Sequence, residues 1–174
     1  TGDDARFEYI YKFVSRDAYN PQNRAANRDL LDHGTLYVGK FNADGSGVWL
    51  PLVHGQNGLT ADNGFADQAD VLVHYVGATP MDRPEWIVVH PATGEVYGSL
   101  TYNAERGAAG KPARDAANPR DNNLFGQIIR WRESGRNAAS TTFNWDLFVI
   151  AGDPGHAEPA MRGNIKGDTF ACPD

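Results

Sequence analysis

The chain has 174 residues, enough for one domain with a buried core, and its 41% hydrophobic and 22% charged residues are those of an ordinary globular protein. A formal net charge of −6 leaves no basic face to neutralise phosphates, which argues against general nucleic-acid binding but not against a small phosphate-bearing substrate held by two or three arginines. The lone Cys172 rules out an internal disulfide framework, and no apolar run reaches membrane length, so no membrane partner is expected.

Strand signals dominate. FEYIYKFVS (7–15) alternates apolar and polar residues, the period of a half-buried strand. YNPQNRAANRDLLDHG (19–34) has the polarity of a loop holding a short helix. GTLYVGKFNADGSGVWLPLV (34–53) is two strand-like runs around an Asn-Ala-Asp-Gly-Ser-Gly turn. In FADQADVLVHYVGAT (65–79), Val71, Leu72, Tyr75 and Val76 recur at helical spacing, with Asp62 and Asn63 as caps and Gly77 as a stop; a helix is predicted there. EWIVVHPATGEVYGSLTYN (85–103) is a second hairpin. FGQIIRWRE (125–133) and TTFNWDLFVIAGD (141–153) are a third pair around Ser-Gly-Arg-Asn. Between these two pairs, 103–123 is a polar loop unusually long for a bare connection, and such loops are functional more often than short ones.

The hairpin turns recur every roughly 40–50 residues, in the range of one propeller blade or half of a larger repeat. Read as blades, the elements make an all-β fold with one or two short helices, a fragment of a β-propeller. It comprises roughly one full four-stranded blade (86–90, 95–101, 126–133, 143–150) and part of the preceding one. The chain opens on Thr1 rather than Met and stops at FACPD without a closing element, so 1–174 reads as a single β-rich segment cut at both ends. Such a segment exposes strand edges, which predicts a homodimer or a rearranged terminal strand.

Chemistry concentrates at Arg83-Pro84-Glu85. Proline fixes its own φ and pushes the preceding residue toward an extended conformation, which would set Arg83 and Glu85 on one side of the chain. Two readings compete. The pair is either a surface ion pair of little energetic worth, or a guanidinium fork for phosphate beside a carboxylate for a hard cation. A similar x-Pro-acid run ends at Asp174. Glu85 and Asp174 each stand where a first, innermost blade strand would begin, so both would face the propeller axis; the alternative is chance recurrence in loops.

Other candidates are weaker. Asp153, His156 and Glu158 have metal-binding types at a spacing that matches no strand or helix face. Asn103, Asn118, Asn122 and Asn123 carry carbonyls suited to Ca²⁺, although Asn-rich loops are usually turns. His54, His74 and His90 are isolated. Cys172 reads more readily as a small buried hydrophobe than as a soft ligand. No phosphate-binding Gly-rich loop, nucleophile elbow or zinc-type spacing occurs.

FEYIYKFVSRD, GTLYVGKFNADGSGVWLPLVHGQ, NGFADQADVLVH, GATPMDRPEWIVVHPATGEVY, DAANPRDNNLFGQIIRWRE and FNWDLFVIAGDP together resemble the PhoX-type alkaline phosphatases, in the same order. The likeness is to the central-to-C-terminal part of that family. It implies a β-propeller that hydrolyses phosphomonoesters with Fe³⁺ and Ca²⁺ at the channel mouth, exported in folded form to the periplasm or beyond. It also implies that Arg83 binds the substrate phosphate and Glu85 a metal, and that Pro173-Asp174 resembles a second metal-ligand position. The family's earlier acidic ligands and iron-binding cysteine match nothing here, so Cys172 is not that cysteine, and Trp86 stands where an acidic residue is often found. The segment alone is expected to be inactive. The rival classes are a non-enzymatic propeller binding module and a calcium-dependent lactonase- or phytase-like propeller hydrolase.

Overall fold

The computed structural model describes residues 6–56, 59 and 76–174. Among these, the alternating runs become seven strands: β1 (Tyr11–Ser15), β2 (Gly34–Phe41), β3 (Ser46–Pro51), β4 (Pro84–Val89), β5 (Val96–Leu100), β6 (Gln127–Glu133) and β7 (Thr142–Ile150). β1 starts four residues later than the pattern suggests, because Phe7 takes φ +67°, outside any strand conformation. The short helix expected in 19–34 is a 3₁₀ turn at Arg24–Asn27, N-capped by the Asn23 side chain. The helix predicted over 65–79 falls mainly on 60–75, outside the described residues.

The strands form one antiparallel sheet in the order β1-β2-β3-β7-β6-β5-β4. β4 to β7 are the four-stranded meander expected of one blade, and β1 to β3 are the strands expected ahead of it. What joins them is a short ladder between β3 and β7, with Ser46 opposite Asn144, Gly47 opposite Phe143 and Val48 opposite Thr142. Gly47 is required there: a Cβ would overlap the Phe143 ring.

That junction is also the centre of the apolar core. The Phe143 ring lies 4.9 Å from the rings of both Phe41 and Trp49, and Phe41 meets Trp145 edge-on at 5.5 Å. Trp131, Ile129, Val96 and Leu100 of the blade complete the cluster. The sheet curls enough that Tyr11 and Phe13 of β1 and Ile87 and Val89 of β4, at its opposite edges, line one cavity of about 390 Å³. At its wall Lys12 pairs with Glu133 at 3.1 Å and lies over the Trp49 ring, whose indole N–H donates to the same carboxylate. Burial pushes the Lys12 ammonium down and the Glu133 carboxyl up, each against the pull of the other.

Because Phe143 is 1% exposed and serves both halves of the sheet, Phe143→Ala should lower the unfolding free energy by about 3–5 kcal/mol, measured by urea denaturation of this chain.

Candidate active site

Residues 81–86 do not run straight into their strand. Arg83 takes φ +49°, the left-handed region, immediately before a proline. The extended conformation expected from the sequence is therefore not adopted, and simple alternation does not relate Arg83 to Glu85. A left-handed L-residue costs about 1–2 kcal/mol, so the conformation persists only if its surroundings impose it. They do. The Arg83 N–H donates to Met81 O at 3.2 Å, closing a tight turn around Asp82. The Arg83 carbonyl accepts from both the Thr101 N–H and the Thr101 hydroxyl, each at 3.1 Å. Its guanidinium lies 4.6 Å above the Tyr102 ring. Pro84 then enters β4 opposite Leu100, and the register shifts before Ile87, so Glu85 and Trp86 lie in a bulge. Glu85 is half-buried and Trp86 exposed.

Asp82, the residue before Arg83, is fully buried, and the long loop supplies its partners. Arg106 Nε donates to Asp82 Oδ1 at 2.6 Å, with both side chains 0% exposed. Asn123 Nδ2 donates to Asp82 Oδ2 at 2.9 Å, and the Asp82 N–H donates to Asn118 Oδ1 at 3.0 Å. The other Arg106 nitrogens donate to the carbonyls of Pro80 and Ala113. The loop closes on itself through a backbone bridge between Asn103 and Asn123, and Gln127 links Asn123 to the Ala117 carbonyl. Gly126, at φ +75°, lets this base press on Thr101: a Cβ would overlap the Thr101 carbonyl. The 103–123 segment is thus a compact Ω-type loop with a polar core, and that core grips the turn carrying Arg83.

Hydrogen bonds and exposure place the other sequence candidates. The side-chain oxygens of Asn103, Asn118 and Asn123 accept from the N–H groups of Glu105, Asp82 and Gly126, bonds that order the loop and its contact with the Arg83 turn. Asn122 is exposed at φ +46°. Asp153 accepts from Gly155 N–H and His156 Nδ1 from Glu158 N–H, local bonds of a turn. His54 and His90 are exposed, His90 accepting from Thr93 N–H, while His74 lies outside the described residues. Cys172 is exposed rather than buried, because the chain around it runs along the surface between Phe125 and Gly152. Arg120, 4% exposed, donates to the Arg162 carbonyl, and burial pushes its pKa down; its Nη1 and the Asn103 Nδ2 find no partner among the described residues.

The C-terminal motif shares a left-handed residue before its proline with the first. Cys172, the residue before Pro173, takes φ +51°, almost the φ of Arg83 before Pro84. In both motifs the proline is buried, and the acid that follows is less so: half-buried at Glu85, exposed at Asp174. Among the described residues, no three His, Cys, Asp or Glu side chains converge on a point that would hold a metal. Asp82 and Arg106 escape a reading of the sequence by type, since a lone acid and a lone arginine are common. The signal that pointed toward them was the length of 103–123.

The family model described as "Alkaline phosphatase PhoX" matches residues 1–174. No curated protein matches. Among solved structures, the chain is similar to Pseudomonas fluorescens PhoX in complex with vanadate, a transition state analogue, with 52% sequence identity and a TM-score of 0.91. The alignment covers 99% of this chain and 33% of that one, so the chain spans about a third of that relative's length.

Removing one partner of a buried ion pair strands the other charge, so Asp82→Asn should cost about 3–5 kcal/mol by chemical denaturation. Asp146→Asn, which breaks the more exposed pair with Arg130 on the outer face of β6 and β7, should cost less than about 1 kcal/mol.

Proposed function

The chain belongs to the PhoX alkaline phosphatase family, and on that premise we propose that it is the segment of a metal-dependent phosphomonoester hydrolase that supplies the phosphate-binding arginine and two metal-binding carboxylates. The observation that carries this reading is the conformation of Arg83. A non-glycine residue held left-handed before a proline, at the Arg-Pro-Glu position, is strain of the kind found at ligand-binding and catalytic sites. Both of its backbone groups are committed, so the strain is locked in place.

Arg83 offers a planar fork that matches two phosphate oxygens. Stacking on Tyr102 limits the sweep of the guanidinium, which favours a fork aimed in advance at the charge that grows on the transferring phosphoryl group. Glu85 and Asp174 each follow a proline that a left-handed residue precedes, and we assign both as metal ligands. Their carboxylates suit Ca²⁺ and Fe³⁺ in donor type but not in number, since Ca²⁺ alone takes six to eight oxygens; the remaining ligands come from the rest of a longer protein. Such a cluster, when bound, polarises the phosphoryl oxygens and activates an oxygen nucleophile. No nucleophile from this chain enters the reading.

The segment on its own is expected to bind metal weakly and turn over little substrate. β1 and β4 end the sheet, and the isolated segment should dimerise along them. No helix among the described residues is long and apolar enough to cross a membrane. We assign the whole enzyme to the periplasm or the exterior, from family membership.

Hydrolysis of p-nitrophenyl phosphate in the presence of Ca²⁺ and iron tests the reading. Arg83→Ala in the full-length enzyme should lower kcat by about 10²–10³-fold, the usual loss for one preorganised donor to transition-state charge. Undiminished turnover would remove Arg83 from the site.

A further inference from the structure

Resting on the assignment of Arg83 as the phosphate fork, we propose that Arg106 is a positioning residue for it, acting through Asp82. The 103–123 loop is then a clamp that sets the aim of Arg83, not a connection. The buried pair is poorly explained as a source of stability, because two charges lose their hydration and an apolar pair of the same size generally does as well. It is well explained as a source of geometry. One Arg106 guanidinium donates to Pro80 O and to Asp82 Oδ1, gripping the chain on both sides of Met81. Its remaining arm ties that grip to Ala113, at the far side of the loop. A lysine ammonium has no planar fork with which to span these three acceptors.

The constraint passes directly to Arg83. Asp82 has its N–H and both carboxylate oxygens committed, to Asn118, Arg106 and Asn123. With Asp82 immobile, and with Thr101 holding the Arg83 carbonyl by two bonds, the left-handed turn is determined from both ends. Releasing either end lets Arg83 relax toward the extended conformation that a residue before proline prefers. Its guanidinium would then swing away from its present aim.

A double-mutant cycle in the full-length, metal-loaded enzyme tests this, using Arg106→Lys, Arg83→Ala and the pair, with p-nitrophenyl phosphate as substrate. Arg106→Lys should lower kcat/KM by about 10²-fold, the loss expected of a misplaced catalytic group. In the Arg83→Ala background the same change should alter kcat/KM by less than about twofold. Metal content of Arg106→Lys should equal that of the wild type, which separates loss of aim from loss of the metal site. If Arg106→Lys fails to fold, Thr101→Val, which deletes one hydroxyl without changing shape, takes its place in the cycle and should give a smaller loss that also vanishes without Arg83. Losses that multiply in the double variant, or metal lost along with activity, overturn the positioning role and leave the fork assignment standing. Full activity in Arg83→Ala overturns both.

Discussion

Asp82 and Arg106 meet at 2.6 Å where neither side chain reaches water, and the candidate site depends on that contact. An unpaired charge at this depth would cost several kcal/mol, so the two residues are obliged to meet, and each brings a segment with it. Asp82 brings the turn that ends in Arg83. Arg106 brings the long loop, whose ends are bridged at Asn103 and Asn123. A loop of this length and polarity has little apolar surface with which to order itself; here the ordering comes from directional bonds to one buried carboxylate.

The molecule accordingly has two cores of different kinds. The aromatic one, around Phe143, Phe41 and Trp49, joins the two meanders into one curled sheet. Apolar contacts suit that task, because they reward burial and tolerate small changes of orientation. The polar one sets the orientation of a single backbone turn, and hydrogen bonds suit that task because they fail when misaligned. β5 connects the two: Leu100 belongs to the aromatic cluster, and Thr101, the next residue, holds the Arg83 carbonyl.

The two x-Pro-acid motifs show how such a device can be used twice. Each places a left-handed residue before a buried proline, at φ +49° and +51°, and each delivers an acid immediately afterwards. Proline fixes its own φ, and the left-handed residue before it turns the chain where an ordinary strand entry would run straight. The first motif is braced by the polar core. The second is tied to the Phe125 carbonyl through the Cys172 N–H.

Alternation and turn chemistry were sufficient to locate the strand pairs and the four-stranded meander from the sequence, because the period of two and the glycine turns are local properties of the chain. The family motifs were equally legible, and family membership is what the comparisons bear out. The joining of β3 to β7 was not, since nothing within either strand specifies a partner roughly a hundred residues away; packing around Phe143 decides it. The conformation of Arg83 was misjudged for a related reason. Local preference before proline is extended, and it is overridden by Thr101 and by an anchored Asp82, both supplied from elsewhere in the chain. Sequence by itself determined which residue types stand at the proposed site. Tertiary structure alone decided how Arg83 is aimed, because left-handed backbone in an arginine is unfavourable locally and holds only where distant partners take up its hydrogen bonds.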